Sequence, residues 1–372
     1  MKRSFGDRLD EVGGFGPGFD FVRIALAFGV VGWHAFAVVI GSDDAGKLTP
    51  AWLPVRVIVP MFFALSGFLV TGSALRLPLE QYVLNRVFRI LPALGVDILL
   101  SALVLGPIFT ILVLQDYLSG REFFAYFLNI FGAVRYFLPG VFLENPIPRV
   151  VNGSLWTVPY EIGCYVVMSA MIWLGVIRSA WLTSALALGW LVLACLVHWF
   201  EFRTGIAVVD KGIAFLFLRF GSSLIPFFLG GSALYLLKAH IPFDGRIAVG
   251  IIIGVLLATL LLDGRFWWDH PLTQLLGMIP LVYLTMYFGL LSLPKVPVFD
   301  RGDYSYGVYL YHFPILQALQ QVFDLKSGAV MFVAAIVPIT VMAMLSWHNI
   351  EKPILKFRKR FSLVGARIAN QG

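Results

Sequence analysis

The chain has 372 residues, 59% of them hydrophobic and 13% charged, with a formal net charge of +7 and a mean hydropathy of +0.85. Soluble domains carry about 25% charged residues, so a water-soluble globular protein is excluded and an integral membrane protein is expected. The apolar stretches are helix length rather than ~10-residue alternating segments, which points to an all-α polytopic bundle and away from a β-barrel.

The first twenty residues are polar and show no small-residue cleavage site, so the apolar stretch after them reads as a retained span, not a signal peptide. A span needs roughly 20 apolar residues. About ten transmembrane helices are expected on that basis, at 21–40, 53–74, 91–114, 154–176, 181–200, 213–237, 247–262 (a short one), 271–292, 304–323 and 328–350. Segment 122–143 is ambiguous: it is aromatic-rich but broken by Gly132, Arg135, Pro139 and Gly140, so it reads as an interfacial or re-entrant segment or as a further span. The whole chain, 1–372, reads as one transmembrane domain with a polar tail at 1–20 and a basic tail at 352–372.

Charge placement orients the bundle. With the N-terminus inside, the inner segments hold seventeen basic residues, among them Lys2, Arg76, Arg86, Arg89, Lys238, Lys295, Arg301, Arg358, Lys359, Arg360 and Arg367. The outer ones hold ten, including Lys47, Arg121, Arg135, Arg149 and Arg265. This bias places both termini in the cytoplasm and the chain in the inner membrane, crossing it many times. Only Cys164 and Cys195 are present, so no disulfide framework is expected. No P-loop, dinucleotide fingerprint or metal-ligand spacing is found, and basic residues at membrane edges give no support for nucleic-acid binding.

Ionisable residues inside apolar spans are costly and therefore functional candidates. Arg23 and His34 share the first span, and their eleven-residue spacing puts them on one face of a helix roughly 16 Å apart. The structural alternatives are a snorkelling Arg23 and a helix-packing His34. Arg86 and Arg89 form an RxxR pair just before the third span. Their guanidinium forks suit phosphate, although lipid anchoring is the plainer reading. Glu161 lies inside an apolar run, either paired structurally or serving as acid, base or orienting partner of His34. Ser66 and Gly67 lie in FFALSGF at 62–68, where Gly67 suits close helix packing and Ser66 can bond a substrate carbonyl or its own helix. His312 stands in the ninth span among tyrosines and is a candidate ligand contact. Asp97 is a further intramembrane carboxylate, and His348 and Glu351 read as structural.

Taken in order, these segments resemble the acyltransferase-3 family of bacterial membrane O-acyltransferases, which modify surface polysaccharides and some small molecules. Arg23–x10–His34 looks like the family's Arg/Lys–x10–His signature. FFALSGF at 62–68, Arg86–Val87–Phe88–Arg89 followed by Ile90–Leu91–Pro92, Leu155–Trp156–Thr157–Val158–Pro159–Tyr160–Glu161, Ser305–His312 and Glu351–Lys352–Pro353 are similar to five further motifs in register. Thr157 stands where the family usually has Ser, and Pro159 interrupts that element.

The resemblance implies a ten-helix core and acyl-CoA, usually acetyl-CoA, as a cytoplasmic co-substrate, with no metal. Residue by residue, Arg23, Arg86 and Arg89 would meet the CoA phosphates, and His34 would be catalytic with Glu161 as its functional partner. Beside the resemblance, Ser66 is expected at the donor, and Trp156, Tyr309 and His312 at the acceptor. The expected function is transfer of an acyl group, most simply acetyl, to a hydroxyl of a cell-envelope or exported glycan or glycolipid such as an exopolysaccharide or lipopolysaccharide. His34 would act as general base or through a transient acyl-histidine. An acyltransferase for a small metabolite is one alternative. A transporter or flippase for a glycan or lipid is another, although the chain lacks the paired broken helices of inverted repeats.

Overall fold

The computed structural model describes residues 3–45, 52–261, 271–294, 297–299 and 302–356. The basic tail beyond 356 lies outside the described residues, as do Lys2, Lys47, Arg265, Lys295 and Arg301 from the charge comparison and the last residue of the seventh expected span.

The described residues are helical, and their only β pairing is three isolated bridges. In chain order the principal helices are α1 (Phe5–Glu11), α2 (Phe19–Ile40), α3 (Trp52–Ala74), α4 (Leu79–Leu100), α5 (Val158–Trp173), α6 (Ala180–Trp199), α7 (Ala207–Ile213), α8 (Leu224–Leu237), α9 (Gly245–Leu261), α10 (Pro271–Leu290), α11 (Ser305–Phe323) and α12 (Gly328–Ser346). Each expected span overlaps one of these helices. Seven helical runs are long and apolar enough to cross a membrane, or eight if the segments Ala207–Leu218 and Gly221–Leu237, bent by 63°, form one span. The protein is a multi-pass membrane protein.

Two expectations change. The third span is expected at 91–114, but its helix starts at Leu79 and runs through a π-helical turn (Ser101–Leu105) to Phe109. The RxxR pair therefore lies within that helix, not ahead of it. The ambiguous segment 122–143 is no single span. It is a short helix (Arg121–Tyr126), a 3-10 turn (Phe127–Phe131) ended by Gly132 at φ 76°, and a loop. Asn129 explains the stop: its side chain donates to Tyr126 O and Arg135 O and accepts from Arg135 N, which folds the chain back on itself.

The chain forms two compact units, interleaved along the sequence: residues 1–26, 52–79 and 163–297, and residues 27–51, 80–162 and 298–372. In the first unit, α3 and α8 meet backbone to backbone. A Cβ on Gly67 would lie 1.9 Å from Phe228 O, and one on Gly231 would lie 1.9 Å from Ala64 O. Small residues allow such approach where helices have no hydrophobic drive to associate in lipid. The polar first twenty residues are also organised in this unit. Ser4 and Asp7 form a capping box at the start of α1, and the hydrogen bonds from Ser4 hold the Asp7 carboxyl below the usual carboxylate range. Arg8 then donates to Leu290 O and Ser292 Oγ, both at 2.9 Å.

The second unit holds α4, α11, α12 and the part of α2 from Ala27 onward. Gly307 of α11 lies against Ala343 of α12, and Phe36 of α2 lies against Gly328 at the start of α12. Both cysteines are free.

Candidate active site

α2 is unbroken from Phe19 to Ile40, so the Arg23–His34 spacing becomes about 16 Å along one axis. At the His34 end the second unit forms an open pocket of about 230 Å³. Trp33, His34 and Ala37 line it from α2, Ser42 from the following turn, Tyr136, Ile147, Val150 and Gly153 from the long connection, and Phe313 from α11. Drug-sized sites occupy about 300–1,000 Å³, so this space suits one ring-sized group. Gly153 is required by closeness: a Cβ there would lie 2.6 Å from the Phe313 ring.

His34 is held from behind. Its Nδ1 is 2.7 Å from His312 Nε2, and its ring meets Phe313 edge-on with centroids 5.0 Å apart. His312 is fully buried, and its Nδ1 faces Tyr309 O at 2.7 Å and Val308 O at 3.1 Å. His312 was expected to touch the acceptor. Instead both of its ring nitrogens are engaged within the protein, and it stands behind His34 because the turn Val308–His312 aims its ring at α2.

Glu161 is expected as a partner of His34, and His34 Nδ1 faces His312. The Glu161 carboxyl lies within electrostatic range of the Tyr309 hydroxyl, which is 2.9 Å from Thr157 Oγ1. The hydroxyl kept at position 157 is thus in use. Trp156 packs edge-on against Tyr160, with centroids 6.2 Å apart.

Arg89 is committed to carboxylates. It donates from Nη1 to Glu351 Oε2 and from Nη2 to Asp303 Oδ2, each at 2.8 Å. Its guanidinium also lies over the Tyr306 ring. Asp303 accepts from Ser305 Oγ at 2.7 Å, and Glu351 accepts from Ser346 Oγ at 3.2 Å. One arginine therefore ties α4 to the start of α11 and to the end of α12, and the structural reading of Glu351 has a concrete partner. One turn earlier, Arg86 lies over the Tyr82 ring. In the first unit, Arg23 forms an ion pair with Asp20 at 3.4 Å, and Ser66 is half-buried beside the Gly67 crossing.

Three polar residues that the motifs did not single out build the site's frame. Asn152, fully buried, donates to Asp97 Oδ2 at 2.9 Å and to Leu310 O at 3.0 Å. It accepts from Ser154 N and Oγ, so it caps the 3-10 turn leading into α5 and gives Asp97 its partner. Gln317 donates to Ile147 O and Val150 O and receives Asn145 Nδ2. Gln317 carried the same signal as His34, a polar group in an apolar helix. Asn145 and Asn152 sit in a loop rich in turn residues, where nothing marks them.

The family profile described as an acyltransferase domain matches residues 17–348 of this chain. The chain is similar to the O-acetyl transferase of Shigella phage Sf6, at 24% identity over 360 residues, covering 91% of this chain and 95% of that protein. It is also similar to Nodulation protein 10 of Rhizobium leguminosarum bv. viciae, at 27% identity over 387 residues, covering 94% and 96%. No solved structure matches it.

Proposed function

Because the chain belongs to the acyltransferase-3 family, we propose that this membrane acyltransferase moves an acetyl group from cytoplasmic acetyl-CoA to a hydroxyl of a cell-envelope or exported glycan. The acetyl group follows the name of the phage relative. The acceptor class follows the family resemblance and the aromatic walls of the cavity. The observation that carries the reading is His34 on that cavity, beside Trp33, Tyr136 and Phe313, since aromatic rings offer apolar faces to a sugar and imidazole offers a base.

In this reading the chain crosses the inner membrane ten times with both termini in the cytoplasm, as the positive-inside bias supports. Arg86 and Arg23 meet the CoA phosphates, as the resemblance implies, and Ser66 lies at the donor. Arg89 holds the fold, because its charge already faces two carboxylates. The acceptor hydroxyl gives its proton to His34 as its oxygen attacks the thioester carbonyl. The C–S bond then breaks, and the CoA thiolate takes that proton back from the imidazolium. Glu161 is the functional partner that the family resemblance implies.

The test is label transfer. Purified protein is incubated with radiolabelled acetyl-CoA and envelope glycan, comparing the wild type with His34→Ala. Loss of a general base costs about 10²–10⁴-fold. Near-normal transfer by His34→Ala would end this reading, as would acetylation that proceeds without acyl-CoA.

A further inference from the structure

The hydrogen bonds around His312 leave only one arrangement of protons for a neutral pair. Backbone carbonyls accept and never donate. His312 Nδ1 lies between two of them, Tyr309 O at 2.7 Å and Val308 O at 3.1 Å, so that nitrogen carries the hydrogen. In a neutral imidazole the other nitrogen is then the acceptor. His312 Nε2 therefore presents a lone pair to His34 Nδ1, 2.7 Å away, and His34 Nδ1 must donate.

Ring geometry agrees. The two rings are inclined by only 17°, with centroids 4.9 Å apart. That separation is close to the N···N distance plus the two ring radii. The rings thus meet edge to edge, nearly in one plane, as an N–H···N hydrogen bond requires. No face-to-face stack would bring the nitrogens to 2.7 Å at that centroid spacing.

From this we infer that His312 is a positioning residue that locks His34 in the Nδ1–H tautomer, leaving Nε2 as the basic atom available to the acceptor hydroxyl. The α11 backbone, through Tyr309 and Val308, sets the proton on His312, and His312 sets the proton on His34. It is the logic of a buried carboxylate behind a catalytic histidine, carried out by a neutral ring and two carbonyls. A neutral partner avoids burying an anion in the bundle, where an unpaired carboxylate is costly. When Nε2 takes the proton from the acceptor, the new imidazolium still has His312 Nε2 as acceptor for its Nδ1–H.

This inference rests on the reading of His34 as the base, and the tests separate the two. The first is nitrogen NMR on full-length protein, ¹⁵N-labelled at histidine, in lipid nanodiscs, with the His34 signals identified by their loss in His34→Gln. The expected spectrum shows a protonated Nδ1 and an unprotonated Nε2 on His34. A proton on Nε2 overturns the inference, whatever the activity.

The second test is kinetic. His312→Gln keeps an acceptor oxygen near the place of Nε2, whereas His312→Leu keeps bulk without an acceptor. His312→Gln should stay within about tenfold of wild-type kcat. His312→Leu should lose about 10²–10⁴-fold in kcat with little change in KM for acetyl-CoA. Equal effects of the two substitutions overturn the inference, and if either variant fails to fold, the wild-type spectrum decides. Full activity in His34→Ala would instead remove the base reading and leave the tautomer to be decided by the spectrum alone.

Discussion

Gln317 Nε2 donates to the Val150 carbonyl at 2.6 Å, fixing a wall of the cavity to the helix that also carries His312. The two residues lie five positions apart on α11. Asn145 returns the contact by donating to Gln317 Oε1 at 2.8 Å and to Gln317 O at 3.0 Å. The loop it holds contains Phe142 and Arg149, both non-glycine residues at positive φ, a conformation that persists only where surrounding bonds dictate it. One helix thus carries His312 and holds a wall of the space in front of His34.

Gln317→Leu removes this clamp while keeping similar bulk. It leaves the carbonyls of Ile147 and Val150 to find other partners, at about 1–3 kcal/mol for each buried group left unsatisfied, while Asn145 Nδ2 keeps only the backbone carbonyl of residue 317. The loop around 145–150 should lose protection in hydrogen exchange, and KM for the glycan acceptor should rise more than KM for acetyl-CoA. Unchanged exchange across that loop would show that Gln317 does not hold it.

The crossing of α3 and α8 should tolerate no methyl group. Gly67→Ala or Gly231→Ala would push a Cβ to 1.9 Å from a backbone oxygen, so the helices must part. Overpacking costs about 1–3 kcal/mol where side chains can yield, and backbone yields less readily. Thermal unfolding in detergent should show a lower Tm for either variant. Gly189→Ala in α6 is the control: a Cβ there meets nothing within 4 Å, and its Tm should stay level or rise, since alanine is the better helix former by about 1 kcal/mol.

Much of this arrangement is visible in the chain itself. Helix positions follow from apolar length, and His34 stands out because an imidazole in hydrocarbon needs a reason. The close approach at Gly67 follows from its size and setting. What the sequence hides is pairing across long separations. Nothing local tells that His34 meets a residue 278 positions away rather than Glu161, or that Arg89 faces Glu351, 262 positions away. Spacing makes Arg86 and Arg89 look equivalent, because helical neighbours share a face. Only the pairing itself shows that Arg89 binds carboxylates from two other elements, Asp303 and Glu351. The connection at 115–153 was the least legible part: Asn129, Asn145 and Asn152 order it through their own backbone contacts, and asparagines in a loop look alike until their partners are seen.

Arg89 and Arg86 should therefore separate in experiment. Arg89→Ala strands Glu351, only 2% exposed, and removing one member of a buried pair costs about 3–5 kcal/mol. The side chains of Arg89 and Asp303 are 21% and 24% exposed, so solvent screening puts the loss toward the lower end of that range. The expected result is a clear fall in Tm, and Arg89→Lys should restore only part of it, since a single ammonium cannot bridge two carboxylates as the guanidinium fork does. Arg86→Ala should raise KM for acetyl-CoA about tenfold, the scale of one lost charge-assisted contact to phosphate. Dephospho-CoA thioesters, which lack the 3′-phosphate, would show whether that phosphate is the one Arg86 meets, because the Arg86→Ala penalty should then vanish. If Arg89→Ala keeps its Tm and alone weakens acetyl-CoA, the two roles are reversed and Arg89 is the donor contact after all.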